Sequence, residues 1–469
     1  MAGNNRTTVS KFNAARGFAW LMGGALLLKG ELAAARASFE RALELQPGYL
    51  PALGNLALLD VRERKPETAK SRYEALLRKE PGNEQALLGL ARLLRVTGAS
   101  AQEIEKPLRL SVATHPTSAG ARLALVDFYA HARDFKAALA GAQAADAALP
   151  NNAALVQALG KAQVAAGEPR QAIATFTRLA TLLPKSPEPR VLLARAHVAA
   201  GQPRDAIRWL RAALGLNPDL PAVQREIAAL YVSTGRHSDA LREAKALQAK
   251  HPGRPLGHVL EGEIYLAQKD LELAERTYRA ALKRFDLPAL ALGAHAVLEA
   301  AGKRSEARSL AEDWLKRHPQ DTTLLAYLGE RDIAARRYES AAARFQSALE
   351  RLPDNAPLLN NLAWVSHELK RPKALEYAER AHELAPDSPA VMDTLGTILA
   401  DGGQLERGLE LLGRAAQLAP EAHRIRLNFA RALLKAERKP AARKELENLA
   451  RLDPRLPAQR EAVKLLATF

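Results

Sequence analysis

From Asn360 to Pro420 the chain reads NNLAWVSHELKRPKALEYAERAHELAPDSPAVMDTLGTILADGGQLERGLELLGRAAQLAP. Apolar positions recur there at helical spacing, stop at a short polar turn, resume, and end at Ala-Pro, twice in succession. The two closing prolines, Pro386 and Pro420, lie 34 residues apart. The same ruler fits the rest of the chain. Prolines that close an apolar helix stand at 47, 81, 116, 150, 184, 218, 252, 319, 353, 386, 420 and 454. Their spacing is 33 to 35 residues except for one gap of 67, two periods less one, where Asp286 takes the missing proline's place. The pattern predicts 13 helix pairs in tandem. No stretch alternates with the period of a strand, so the class is all-α.

One unit shows the physics of all. In PEPRVLLARAHVAAGQPRDAIRWLRAALGLNP, residues 187–218, the residues Leu192, Leu193, Ala196 and Ala200 line one side of a first helix. Gly201 follows, where a left-handed residue is cheap. Pro203 stands near the start of the second helix, where its missing N–H costs little. Ala206, Leu210, Ala213 and Leu214 repeat at i, i+4, i+7 and i+8, and Pro218 stops the helix. Gly408 replaces the alanine that most units carry at that point. It either lets its two helices approach more closely or holds them less well.

The ruler divides the chain into a polar N-terminal arm at 1–15, the array at 16–454 and one further helix at 455–469 that caps the last pair. The longest apolar run near the start, Phe18 to Leu28, has 11 residues broken by Gly23 and Gly24. That is too short to span a bilayer. It carries no small-x-small cleavage site, so it reads as part of the repeat and no targeting segment is legible.

Composition narrows the chemistry. Apolar residues make up 48% and aromatics only 5%, so the core is built mainly from Ala and Leu, which suits closely packed helices. Without cysteine there is no disulfide, thiolate metal site, catalytic thiol or Cys-linked lipid. The net charge of +16 is interspersed, and reads first as an arginine-rich solvated surface. No phosphate-binding glycine loop, GxSxG or HExxH occurs, and the 11 histidines are scattered. His115, His251 and His318 precede closing prolines, where an imidazolium meets the negative end of a helix dipole. No cofactor, metal or catalytic group is expected.

At this point the chain resembles the tetratricopeptide repeat family. The unit ending at Pro353 supplies Leu325, Leu328-Gly329, Ala341, Phe345, Ala348 and Pro353, and the first supplies Trp20, Gly23, Gly30, Ala35, Phe39, Ala42 and Pro47. Tyr73, Phe176 and Tyr278 stand where Phe39 does. The resemblance implies a right-handed α-solenoid, a superhelix of about 13 helix pairs whose first helices line a concave groove. It also implies which positions face that groove. By the proline ruler these are Arg62, Arg92, Arg95, Lys161, Arg195 and Arg225, then Glu263, Glu299, Glu330, Glu368, Asp393 and Asp401, with Asn360, Trp364 and His367 among them. Arg424, Arg431 and Lys435 close the series. One solvent-facing charge per unit is ordinary, but a basic lane followed by an acidic lane would orient an extended partner. Trp364 is the candidate apolar anchor, or else packs between neighbouring units. Nucleic acid is disfavoured, since the basic lane lacks stacking aromatics and the acidic lane repels phosphate.

A narrower resemblance covers Asn360 to Leu449. The strings NNLAW, ALEYAERA, LAPDSPAVMDTLG, RGLELL and ARKELENL are similar to the C-terminal repeats of tetratricopeptide proteins of the PEP-CTERM/exosortase system. That resemblance implies a bacterial envelope protein associated with exopolysaccharide production and protein sorting. It places the protein in the periplasm or at the outer membrane if the start of the chain has been removed, and otherwise in the cytoplasm. The expected function is therefore a non-enzymatic scaffold for a peptide or assembly subunit. The alternatives are a cytoplasmic assembly or regulatory adaptor, and an enzyme whose catalytic domain lies outside this chain.

Overall fold

The computed structural model describes residues 2–468, with side-chain surroundings from residue 13 onward. Among the described residues there are 27 α-helices and no strand. Contacts divide the chain into two compact units, Met1–Gln224 and Arg225–Phe469.

The first unit begins with α1 (Ala2–Leu28), α2 (Leu32–Leu45), α3 (Leu50–Arg62), α4 (Pro66–Lys79), α5 (Glu84–Val96) and α6 (Ala101–Thr114). It continues with α7 (Ala119–His131), α8 (Phe135–Ala148), α9 (Ala153–Ala165), α10 (Pro169–Leu182), α11 (Glu188–Ala199) and α12 (Pro203–Leu216). After α13 (Pro221–Ser233), which spans the division, come α14 (His237–Lys250), α15 (Leu256–Ala267), α16 (Leu271–Arg284), α17 (Pro288–Ala300) and α18 (Arg304–Arg317). Next are α19 (Thr322–Ala334), α20 (Tyr338–Leu349), α21 (Ala356–Glu368), α22 (Ala374–Leu384) and α23 (Pro389–Asp401). The last are α24 (Leu405–Leu418), α25 (His423–Lys435), α26 (Lys439–Ala450) and α27 (Pro457–Leu466). Thus 13 pairs stand on the ruler, with one helix beyond them. Residues 2–15, expected as a polar arm, form the start of α1, and the side chains before residue 13 lie outside the described residues. No helix among the described residues is long and apolar enough to cross a membrane.

Every pair turns through one left-handed residue. Thirteen such residues, from Gly30 to Glu437, have φ between +54° and +87°, and Gly201 is one of them. The residue after each closes a bond back into the first helix, as when Gln202 N–H donates to the His197 carbonyl at 2.8 Å. Six units place Arg64, Arg133, Lys269, Arg336, Lys370 or Glu437 where the others have glycine. A side chain costs roughly 1–2 kcal/mol in that conformation, part of which glycine loses again in backbone entropy. Arg336→Gly is therefore expected to stabilise the second unit by about 0.5–1 kcal/mol. The urea midpoint measures this, and a fall in the midpoint would show that Arg336 makes contacts worth more than its strain.

The core is a repeated fit of large against small. Ala35, Ala69, Ala138, Ala172 and Ala206 have no accessible surface, so the second helix lies directly on its neighbours. In several units a ring of the second helix is matched by a glycine of the first. A Cβ at Gly23 would lie 2.5 Å from Phe39, at Gly160 2.3 Å from Phe176, and at Gly329 2.6 Å from Phe345. Gly408 settles between its two readings in favour of close approach, since a Cβ there would lie 2.6 Å from the Gly396 carbonyl oxygen. Buried polar residues pair twelve positions apart in three units. Arg72 donates to Asp60 at 2.6 Å, Thr175 to Gln163 at 2.7 Å and Arg344 to Asp332 at 2.8 Å.

Within each unit consecutive helices pack, and first helices also touch first helices. In the first unit these contacts run α3–α5, α5–α7, α7–α9 and α9–α11. In the second they run from α15–α17 through α25–α27. No two second helices among the described residues meet to the same extent. The first helices are thus crowded on the inner side of each unit, which makes each an α-solenoid with an inner face. Beyond the last pair, α27 buries Ala462 against α25 and α26, joined by Leu427, Leu446 and Leu449.

Candidate partner-binding groove

In the first unit a trough of about 500 Å³ opens between α3 and α5. Leu50, Leu58, Val61, Leu88 and Val96 line it, with Tyr73 of α4 behind them and Arg92 at the edge. Leu58 is 61% and Val96 54% exposed, and both line this one trough. Tyr73 is buried, and Gly89 leaves room for its ring, since a Cβ there would lie 2.5 Å from it. Burial pushes its phenol pKa up, and the nearby positive charge of Arg92 opposes the shift.

Of the groove cations expected in this unit, Arg92 lines the trough. Arg62 ends α3, Arg95 lies in the last turn of α5, and both are exposed. Lys161 is exposed on α9 and Arg195 on α11. The side chains of Arg62, Arg92, Arg95 and Lys161 make no hydrogen bond or ion pair with any described residue. Arg195 does have a partner.

The second unit brings its groove residues together differently. A cavity of about 480 Å³ lies among α21, α23 and α25. Trp364, His367, Asp393 and Arg431 line it, as do Glu368, Asp401, Arg424 and Lys435. Trp364 is half-buried and meets Tyr338 edge-on, ring centres 5.6 Å apart, so it packs between neighbouring pairs and still faces the cavity. Asp401 takes His367 at 3.0 Å and Lys435 at 3.2 Å, while Arg431 reaches Glu461 of α27 at 3.2 Å. Asp393 is only 3% exposed and accepts from the Asn428 amide at 2.9 Å. Burial pushes its carboxyl pKa up, against the Asn428 hydrogen bond and the charge of Arg424.

Elsewhere in this unit Arg225 of α13 pairs with Glu263 of α15 beside a cavity of about 200 Å³. Glu299 reaches Arg331 at 3.9 Å. The Asn360 amide oxygen is buried and lacks a partner among the described residues. Glu330 and Glu368 make no hydrogen bond or ion pair with a described residue. Half of the acidic residues of the groove are thus ion-paired from within, whereas the side chains of Arg62, Arg92, Arg95 and Lys161 stand bare among the described residues.

Leu58, Leu88, Val96 and Tyr73 were not among the expected groove residues, nor were Thr394, Thr397 and Asn428 in the second unit. A signal existed for two of them. Leu58 and Val96 stand one period from Arg92 and Arg62, at the same places in the repeat. Apolar periodicity alone assigns such residues to the core.

The sequence and fold both have relatives. Models of the tetratricopeptide repeat match residues 19–49, 55–119, 163–230, 198–264, 328–389 and 394–457, together more than half of the chain. The TPR repeat-containing protein PA4667 of Pseudomonas aeruginosa is 32% identical over 126 residues, which are 25% of this chain and 20% of that protein. The chain thus spans about a fifth of that relative's length. Among solved structures, yeast Tom70 is 13% identical over 96% of this chain and 99% of its own, with a TM-score of 0.44. The APC/C hetero-tetramer Cut9-Hcn1 is 15% identical, with 97% of both chains covered and a TM-score of 0.41. With tetratricopeptide repeat models matching more than half of it, and 13 helix pairs on a period of 34 among the described residues, the chain belongs to the tetratricopeptide repeat family.

Proposed function

We propose that this protein is a non-enzymatic scaffold that grips an extended segment of a protein partner in the inner groove of its first unit. The observation that carries the reading is the set of bare cations. The side chains of Arg62, Arg92, Arg95 and Lys161 are exposed on first helices and have no partner among the described residues, and Arg92 shares a trough with the exposed side chains of Leu58 and Val96. Cations that a fold needs for its own stability are paired, as Arg72 and Arg344 are. Unpaired cations beside uncovered apolar surface are what a partner of opposite charge can use. The groove of the second unit, with its charges mostly paired and Trp364 at its wall, serves as a secondary contact.

For the setting, we infer a bacterial envelope assembly concerned with exopolysaccharide export or PEP-CTERM protein sorting. Support for that setting is the run of strings between Asn360 and Leu449 alone.

Affinity capture from the native cell envelope tests both statements. The fourfold variant Arg62→Glu, Arg92→Glu, Arg95→Glu and Lys161→Glu is expected to lose the partner that the native chain holds. Residual capture should depend less on salt, because the screened attraction has been removed. Equal capture by the variant would sink the groove reading, and a captured set without envelope assembly proteins would sink the setting.

A further inference from the structure

We propose that the trough between α3 and α5 is the anchor of the groove, and that it takes a peptide segment whose apolar side chains are flanked by aspartate or glutamate. This rests on the groove reading and adds the chemistry of the partner. Leu58 and Arg92 occupy equivalent places one period apart, and so do Arg62 and Val96. Two neighbouring helices therefore present an apolar and a cationic side chain in crossed order. A ligand that satisfies both must carry both complements at short spacing.

A second observation points the same way. Tyr73 is only 8% exposed, lines the trough, and its hydroxyl makes no hydrogen bond with a described residue. The ring is buried, and a tyrosine hydroxyl at the polar end of such a ring takes a partner where one is offered. Here the hydroxyl sits beside Gly54, where a Cβ would be 3.6 Å away, so no side chain from α3 fills the place. A carboxylate held by Arg92 would also accept from this hydroxyl, giving charge-assisted bonds on both sides. The nearby acids do not compete. Asp60 is taken by Arg36 and Arg72, and Glu63 by Arg36 and Lys65. The apolar lining disfavours phosphate chains, which offer nothing to Leu58 or Val96, and it lacks an exposed stacking ring.

The test is selection of a phage-displayed random peptide library on the full chain, followed by fluorescence anisotropy of the enriched peptides. Enriched sequences are expected to pair apolar residues with Asp or Glu. Arg92→Gln and Leu58→Ser should each weaken binding about tenfold, and Tyr73→Phe severalfold, with helix content by circular dichroism unchanged. Arg78→Gln on α4 should have no effect. Basic consensus sequences, or peptides indifferent to Arg92 and Leu58, overturn the proposal. So does an oligonucleotide that displaces the peptides at equal charge. If binding instead depends on Lys161, the anchor is misplaced while the groove reading stands, and if it depends on Trp364 alone, both fall. If only Arg78→Gln matters, both fall.

Discussion

Replacing Arg337 and Arg344 together by alanine is expected to destabilise the second unit by about 3–5 kcal/mol. Their shared partner is Asp332, near the end of α19, with a side chain 4% exposed. Arg337 Nη2 reaches Oδ1 at 2.6 Å, and Arg344 Nε reaches Oδ2 at 2.8 Å. Removing both leaves a carboxylate inside the fold with nothing to offset its desolvation. The reverse change is milder. Asp332→Asn leaves two arginines that are 59% and 31% exposed and can turn to water, so it should cost only about 1–2 kcal/mol. Urea denaturation measures both, and hydrogen exchange locates the loss. Protection should fall in α19, α20 and the pairs beside them, since each pair leans only on its neighbours. If Asp332→Asn costs as much as the double arginine variant, the stranded charge is not the cause.

The second large effect concerns the fit between glycine and aromatic ring. Phe176→Ala is expected to cost the first unit about 3–5 kcal/mol, since the ring is 2% exposed and fills the space that Gly160 leaves. Gly160→Ala fails from the other side. Its Cβ would stand 2.3 Å, 2.6 Å and 2.7 Å from three ring carbons, an overpacking worth about 1–3 kcal/mol. The pair should not be additive. Gly160→Ala joined with Phe176→Leu places a smaller side chain opposite the new methyl, and should cost less than the two single changes summed. Additive losses in urea midpoints would mean that the two positions do not share one packing constraint.

Much of this fold was legible because its period is written in proline. Pro218 and its counterparts marked where second helices stop, and Gly201 and Pro203 marked the turn within a pair. The limit appeared wherever position and residue type disagree. Arg336 and Lys370 hold left-handed places that only the neighbouring units' glycines reveal. Gly408 left two readings open, because closeness of approach is a property of two backbones rather than one residue.

The groove was legible as a set of positions but not as a pattern of charge. Equivalent residues of successive first helices are neighbours in space, so groups about one period apart can pair. His367 finds Asp401, and Asn428 finds Asp393, 34 and 35 residues away. Counting signs along the chain gives an acidic lane, whereas following those neighbours shows half of it ion-paired. Leu58 and Val96 were hidden for a different reason. An apolar residue at helical spacing reads as core until the structure leaves it uncovered.

On the proposed function, a partner lies against the inner face of the first unit. Site-specific photocrosslinking in the native cells tests it most directly, with the photoreactive residue placed in turn at Arg92, at Lys161 and at Arg78 on α4. The expected result is one partner crosslinked from Arg92 and Lys161 and none from Arg78. A partner crosslinked from Arg78 alone would contradict it.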